Sequence, residues 1–297
     1  MKKKLELFFF FHIDNVPAFK SSLKALSPFI TTTPQLLQVS TQPDTLVNVA
    51  FSFTGLTALG FNDTLGDPTF AAGQFVDAPA LGDPGTANWV PAFKGTNVHG
   101  LFILASDSTL LIDAELAAIG LLFGDSLSEL YTLQGQVRPG DQEGHERESP
   151  YIFTNIHTLP NHLFSIDFGF MDGISQPGIT GFTANPMPGQ TVIDPGHILL
   201  GETGDVTPRP PWAQDGSFLV FRQLQQLVPE FSKFLADNPI IEPGLTLEQG
   251  SALMGARMVG RWQSVSSHII LKISDILKLD NIIFRPLGCS DRPCPNV

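Results

Sequence analysis

Leu5-Glu6-Leu7-Phe8-Phe9-Phe10-Phe11-His12-Ile13 is the stretch whose reading decides the fold. Lys2, Lys3 and Lys4 stand in front of it, so the N-terminus imitates the basic and apolar regions of a signal peptide. Glu6 interrupts the apolar run, Asp14 follows closely, and no small-residue cleavage site comes where one is needed. The segment reads instead as a buried, phenylalanine-rich strand, and an ordered series follows it. Asn15 can cap a helix that takes Pro17 in its first turn and carries Phe19, Leu23 and Leu26 on one face. Leu46 to Phe53 alternates, with Val47, Val49, Phe51 and Phe53 on one side and Asn48, Ala50 and Ser52 on the other, which predicts a half-buried strand.

From about Thr54 to Asn97 the chain is rich in Gly, Pro and Asp and reads as one large connection, with a short helix around Leu56 and Leu59. His99 to Ala105 resumes as a strand. Thr109 to Phe123 places Ile112, Leu116, Ile119 and Phe123 on one helical face, and Gly124 supplies the stop. Tyr131 to Val137 closes the set. This βαββαβ order is the ferredoxin-like pattern of an α+β fold, an antiparallel sheet flanked by helices. It assigns residues 1–140 to a first unit.

Residues 141–297 read as the opening of a second, incomplete ferredoxin-like unit. Ser217 to Leu224 is its expected strand, Val228 to Ala236 a helix ended by Asn238-Pro239, and Thr246 to Trp262 a second helix with Thr246 as cap. The remaining strands of such a sheet are not found before the chain stops, and a sheet usually needs three or more for stability.

Composition narrows the function classes. Apolar residues make up 42% and charged residues 15% of the 297, which fits a globular protein rather than a disordered one. With 17 Lys and Arg against 29 Asp and Glu, the formal charge is −12, which opposes nucleic-acid and anionic membrane partners. No apolar run approaches the ~20 residues of a spanning helix. Cys289 and Cys294 can close a small loop or stay as thiols; without matching histidines they make no zinc site, and no C-x-x-C-H haem attachment motif occurs.

The sharpest chemical motif is Gly169-Phe170-Met171-Asp172-Gly173-Ile174-Ser175-Gln176-Pro177. Asp-Gly alone reads as a tight turn. Phe168, Phe170, Met171 and Ile174 around it would partly desolvate Asp172, and a carboxylate in an apolar cleft is a candidate proton shuttle. Gly-x-x-Asp-Gly followed by Ile-Ser-Gln-Pro is similar to the signature of the dye-decolourising peroxidases. Further stretches resemble the fungal members in order: Leu7 to Phe10, Phe70 to Phe75, Trp89 to Gly95, Arg138 through Glu146, Gly216 to Arg222, and Gly255 to Trp262. The resemblance runs from Met1 to about Trp262.

The resemblance implies two ferredoxin-like units with haem b (heme b) held in the second, an extracellular location, and hydrogen peroxide with dyes or phenolic compounds as reactants. It admits a homodimer. It implies that Asp172 takes a proton from peroxide on the distal side of the haem and returns it to the outer oxygen, while Gly173, Ile174 and Ser175 line the cofactor. Aspartate suits acid conditions, because its ordinary pKa near ~3.9 keeps it basic where histidine (~6.5) would be protonated.

Three departures stand against the pattern. Arg147 to Asp167 intervenes where the family joins the Glu146 segment almost directly to Phe168. Gln263 to Ile283 has drifted. The family's proximal histidine lies shortly after a Cys-Pro pair, and here only Asn296 and Val297 follow Cys294-Pro295. The axial ligand, the distal arginine and peroxidase activity of this chain alone are therefore expected to be missing.

Other residues carry blander readings beside sharper ones. Seven histidines remain, His12, His99, His145, His157, His162, His197 and His268, of which His268 is the substitute axial candidate. Asp167 and Asp172 lack the rest of a sugar-hydrolysing site. Arg222, Arg257 and Arg261 read as ion-pairing residues before propionate ligands. Trp89, Trp212, Trp262 and Tyr131 read as packing before electron relays. Two function classes stay open: a haem peroxidase, and a non-enzymatic remnant that keeps a ferredoxin-like domain.

Overall fold

The computed structural model describes residues 3–95, 97–136, 177–186, 190–225 and 227–259. By its contacts the chain divides into two units, with residues 173–225 joining the N-terminal part and residues from 226 onward lying in the other. Within the first unit, Phe221 seats its ring against Phe8 and Phe10 at centroid distances of 5.4 and 4.9 Å.

The first unit is built on a four-stranded antiparallel sheet in the order β2-β3-β1-β4, with β1 Leu5–Ile13, β2 Thr45–Phe51, β3 Gly100–Ser106 and β4 Leu127–Gln136. α1 (Val16–Leu26) follows β1, with Asn15 Oδ1 accepting the Ala18 N–H at its start. α2 (Thr33–Leu37) opens on a capping box between Thr32 and Gln35. Between β2 and β3 stand three short helices, α3 (Phe53–Ala58), α4 (Pro68–Ala72) and α5 (Gln74–Asp77). α6 (Thr109–Phe123) crosses between β3 and β4 and stops at Gly124, whose φ of 49° suits a residue without a side chain.

Alternation in β1 sends its side chains to two different cores. Leu7, Phe9, Phe11 and Ile13 join Phe19, Leu26, Val47, Phe102, Leu104, Ile112, Ile119 and Phe123 beneath α1 and α6. Phe8 and Phe10 point the other way, with Leu101, and are covered by Phe93, Val98, Tyr131, Leu133 and Phe221. A sheet with both faces apolar reads as a continuous phenylalanine run rather than an alternating one.

Two sequence expectations are corrected here. The strand expected to run to Phe53 ends at Phe51, because Ser52 Oγ accepts the Gly55 N–H and caps α3. Ser217 to Leu224, expected as a strand, has no sheet partner among the described residues. It is an extended segment that packs a half-buried Phe221 against the sheet while leaving Leu219, Val220 and Leu224 exposed.

β5 (Gly178–Ile179) and β6 (Val192–Ile193) form a short parallel pair in the loops that follow. In the second unit, α7 (Val228–Asp237) packs with α8 (Leu247–Val259). Thr246 caps α8 reciprocally with Gln249: Thr246 Oγ1 accepts the Gln249 N–H at 3.1 Å, and Gln249 Oε1 accepts the Thr246 N–H at 2.9 Å. The Ile240 backbone lies so close to Gly250 that a side chain there would overlap its carbonyl oxygen. No helix among the described residues is long and apolar enough to cross a membrane.

Candidate functional site

Asp172, Gly173, Ile174 and Ser175 lie outside the described residues, as do His145, His157, His162, His268, Asp167, Arg261, Trp262 and both cysteines. What the structure places is the framework on either side of the motif. Upstream, β4 runs to Gln136, whose Cα pairs with that of Leu5. Downstream, the chain is fastened immediately after the motif. Gly178 N–H donates to the Thr191 carbonyl at 2.7 Å, Ile179 N–H to Thr183 Oγ1 at 2.9 Å, and Thr180 N–H to the Ile193 carbonyl at 2.9 Å. Gly178 is buried, and a methyl group on it would press on Val192 Cγ2 at 3.3 Å.

The described histidines are all accounted for locally. His12 and His99 stack with ring centroids 4.0 Å apart. His12 Nδ1 lies 3.1 Å from Asp14 Oδ1, and His99 Nδ1 accepts the Ile13 N–H at 3.0 Å. Partial burial, and then the neighbouring His12, push the His99 imidazole below its ordinary pKa, against a smaller upward pull from Asp14. His197 is exposed at the end of a 3-10 turn (Pro195–His197). No group of three or more His, Cys, Asp or Glu among the described residues could hold a metal ion.

The charged and aromatic candidates that are described make local contacts. Arg222 donates through Nη2 to Asp83 Oδ1. Arg257 pairs with Glu242 at 3.2 Å on the surface. Trp89 packs on Phe75 and Trp212 on Phe61, at centroid distances of 5.9 and 4.9 Å. Tyr131 stands among Phe10 and Phe93, with its hydroxyl 3.0 Å from Gln223 Oε1, to which it donates.

Sequence reasoning passed over one charged cluster. Asp205 accepts from Arg209 Nε at 2.7 Å and Nη2 at 3.0 Å, and from the N–H groups of Gly201 and Thr207 at 2.8 and 3.1 Å. These donors, Arg209 first, hold the Asp205 carboxyl far below the usual carboxylate range. Arg209 also donates to the Leu65 carbonyl and lies over the Phe218 ring, joining the excursion after β2 to the loop at 194–216. Leu65 carries a φ of 56°, which an L side chain seldom adopts. The i,i+4 spacing of Asp205 and Arg209 was the available signal. The His12–His99 stack had none, since the two rings come from distant parts of the sequence.

Comparison with known proteins agrees with this architecture. Residues 1–139 match the family described as the DyP dimeric alpha+beta barrel domain. The chain is 54% identical over 267 residues to a dye-decolorizing peroxidase of Mycena epipterygia, covering 89% of this chain and 47% of that protein. It is 50% identical over 289 residues to dye-decolorizing peroxidase msp1 of Mycetinis scorodonius, covering 95% and 52% respectively. The crystal structure of a decolorizing peroxidase from Auricularia auricula-judae superposes with a TM-score of 0.74 at 47% identity, over 88% of this chain and 54% of that one. The chain spans about half the length of the relatives it matches.

Proposed function

This chain belongs with the fungal dye-decolourising peroxidases, and from that premise we propose that it carries the peroxide-dependent oxidation of dyes or phenolic compounds for which that family is named. The observation that supports the reading is the extent of the match. A relative is 54% identical over 267 residues, 89% of the chain, so the match extends well past the N-terminal domain that ends at residue 139. Haem b belongs to the proposal as the group at which peroxide is reduced, and an extracellular location belongs to it by resemblance alone.

Within this reading the Asp172 carboxylate moves one proton. It accepts the proton from one oxygen of hydrogen peroxide and delivers it to the other, so that the departing oxygen leaves as water rather than hydroxide. Gly173, Ile174 and Ser175 belong to the proposal as the residues beside the cofactor, by resemblance. The hydrogen bonds of Gly178, Ile179 and Thr180 fasten the chain just beyond the motif, which suits a carboxylate that must be held in position.

The test is a haemin titration of the 297-residue chain, with and without Asp172→Asn, followed by dye bleaching in peroxide. A Soret band at one haem per chain, with bleaching slowed by orders of magnitude in Asp172→Asn, supports the reading in full. An unchanged bleaching rate in that variant removes Asp172 from the mechanism. A Soret band without any bleaching favours a remnant that binds and does not catalyse. No Soret band at any haemin ratio would count against haem binding by these 297 residues.

A further inference from the structure

Asn62-Asp63-Thr64 is the single place in the 297 residues where an asparagine stands two positions before a serine or threonine with no proline between them. Such a tripeptide accepts an N-linked oligosaccharide where the fold leaves it in solvent, because the group attached is bulky and polar. Here it lies on the loop between α3 and α4, and all three residues are exposed. The Asn62 amide makes no hydrogen bond among the described residues, so its nitrogen is open to reaction.

The loop is pinned on both sides of the motif. Before it, Phe61 N–H donates to the Leu56 carbonyl at 2.8 Å, and the Phe61 ring packs on Trp212 with centroids 4.9 Å apart. After it, Leu65 is buried with Leu200 and Ala213, its N–H donating to Asp63 Oδ1 at 2.7 Å and its carbonyl accepting from Arg209. Thr64 takes part through its carbonyl, which accepts the Asp67 N–H at 3.0 Å, while its hydroxyl makes no hydrogen bond among the described residues. The motif is thus held out between two anchors, and folding leaves it in solvent. Beside it stand two rings that the fold covers only in part: Phe61 is 39% exposed and Trp212 44%. The C–H face of a pyranose packs on such rings as apolar surface does. A sugar on Asn62 starts one residue away from them.

We propose that Asn62 is an N-glycosylation site whose first sugar, an N-acetylglucosamine, lies over the Phe61–Trp212 pair. The donor is a lipid-linked oligosaccharide diphosphate. Asn62 Nδ2 forms a bond to the anomeric carbon of that first sugar, and the bond from the same carbon to the diphosphate oxygen breaks. The lipid diphosphate leaves with the electron pair, Nδ2 gives up one proton, and nothing is oxidised or reduced. The proposal rests on the extracellular reading, since such donors face the lumen of the secretory pathway. Its consequence is local: the glycan shields the junction where the loop after α3 meets the loop at 194–216.

The 297-residue chain, carried into a eukaryotic secretory pathway by a cleavable leader, tests it. The expected result is a mobility shift of one glycan, read on retained and secreted chain alike, that endoglycosidase H trims to a single sugar. Asn62→Gln and Thr64→Val should each abolish the shift and leave the far-UV spectrum unchanged, because both side chains are exposed. An unshifted wild-type chain overturns the proposal, as does a shift that either variant keeps. The trimmed chain isolates the contact with the rings. Chymotrypsin should cut after Trp212, 150 positions along the chain from Asn62, more slowly in the one-sugar form than in Asn62→Gln. A stacking contact of ordinary strength slows it by about 2–10-fold. Equal rates overturn the seating on the aromatic pair. Because the leader supplies the route, an unmodified chain counts against Asn62 as acceptor. Finding the native protein only inside the cell would instead count against the extracellular reading.

Discussion

Gly100 and Phe11 form a pair whose coupling can be measured. They are register partners on β3 and β1, and Gly100 is buried. A methyl group added at Gly100 would overlap Phe11 Cζ, come within 2.9 Å of Phe11 Cε2, and press on the Ala50 carbonyl oxygen at 2.8 Å. Phe11 cannot retreat, because its ring stacks on Phe102 at 4.8 Å and packs on Phe19 at 5.5 Å. Overpacking of this kind costs about 1–3 kcal/mol, while replacing a strand glycine by alanine returns roughly 0.5–1, so Gly100→Ala should lose about 1–2 kcal/mol. Phe11→Leu alone should also cost on the order of 1–2 kcal/mol, through lost ring contacts. The double variant removes the ring edge that the methyl strikes and leaves the Ala50 contact, so it should be more stable than the sum of its parts by about 1 kcal/mol. Amide exchange of β1 and β3 under rising urea reports this sheet separately from the second unit. Additivity within ~0.5 kcal/mol would show that the glycine is not there to seat the ring.

Three further outcomes follow from the charged groups. The His99 imidazole titrates below its unfolded value of ~6.5, so the unfolded chain takes the proton first and stability contributed by this corner is lost as pH falls through and below that value; Ile13 amide protection should fall accordingly, and protection unchanged by acid would refute it. Burial raises the Glu6 carboxyl, so its ionised form favours the unfolded chain and Glu6→Gln should raise the melting temperature at neutral pH and change little in acid, whereas a variant that melts lower at neutral pH would count against it. Asp205 is depressed instead, so its contribution is present above the ordinary carboxylate range and lost only in strong acid; Asp205→Asn should expose the loops at 61–73 and 194–216 to limited proteolysis, and an unchanged cleavage pattern would show that the cluster does not hold them.

Most of the first unit was legible in the sequence because its signals are short-range. Asn15, Pro17 and the Phe19-Leu23-Leu26 face lie within one helix, and Gly124 stops α6 where a left-handed residue is needed. Ser52 misled for an equally local reason. It continues the alternation of β2 as a small polar residue, yet its hydroxyl caps the next helix. Ser217 to Leu224 misled for a non-local one. An apolar segment becomes a strand only when another strand lies beside it, and Phe221 finds its burial on Phe8, Phe10 and Phe93 without one. β4 starts at Leu127, ahead of its expected beginning at Tyr131, since Leu127, Ser128 and Glu129 pair with the Ile13 end of β1 across a bulge that no pattern in β4 itself announces. The proton-shuttle motif was visible as a motif, while the Asp205–Arg209 junction to Leu65 joins positions 144 residues apart and leaves no mark in either stretch.

The excursion between β2 and β3 leaves and re-enters the sheet at one point. Ser52 N–H donates to the His99 carbonyl at 3.1 Å, and Ser52 Oγ donates to the Val98 carbonyl at 2.6 Å, so residues 47 positions apart are tied together at the neck. A loop closed in this way feels its own length only through chain-closure entropy, which grows so slowly that doubling the loop costs about 0.6 kcal/mol. Gly60, Gly73, Gly82 and Gly85 each turn the excursion with a positive φ and open space around them. Insertions at those turns would leave the register of all four strands untouched. The sheet and the excursion can therefore change at different rates, one constrained by every methyl group and the other almost indifferent to how much chain it carries.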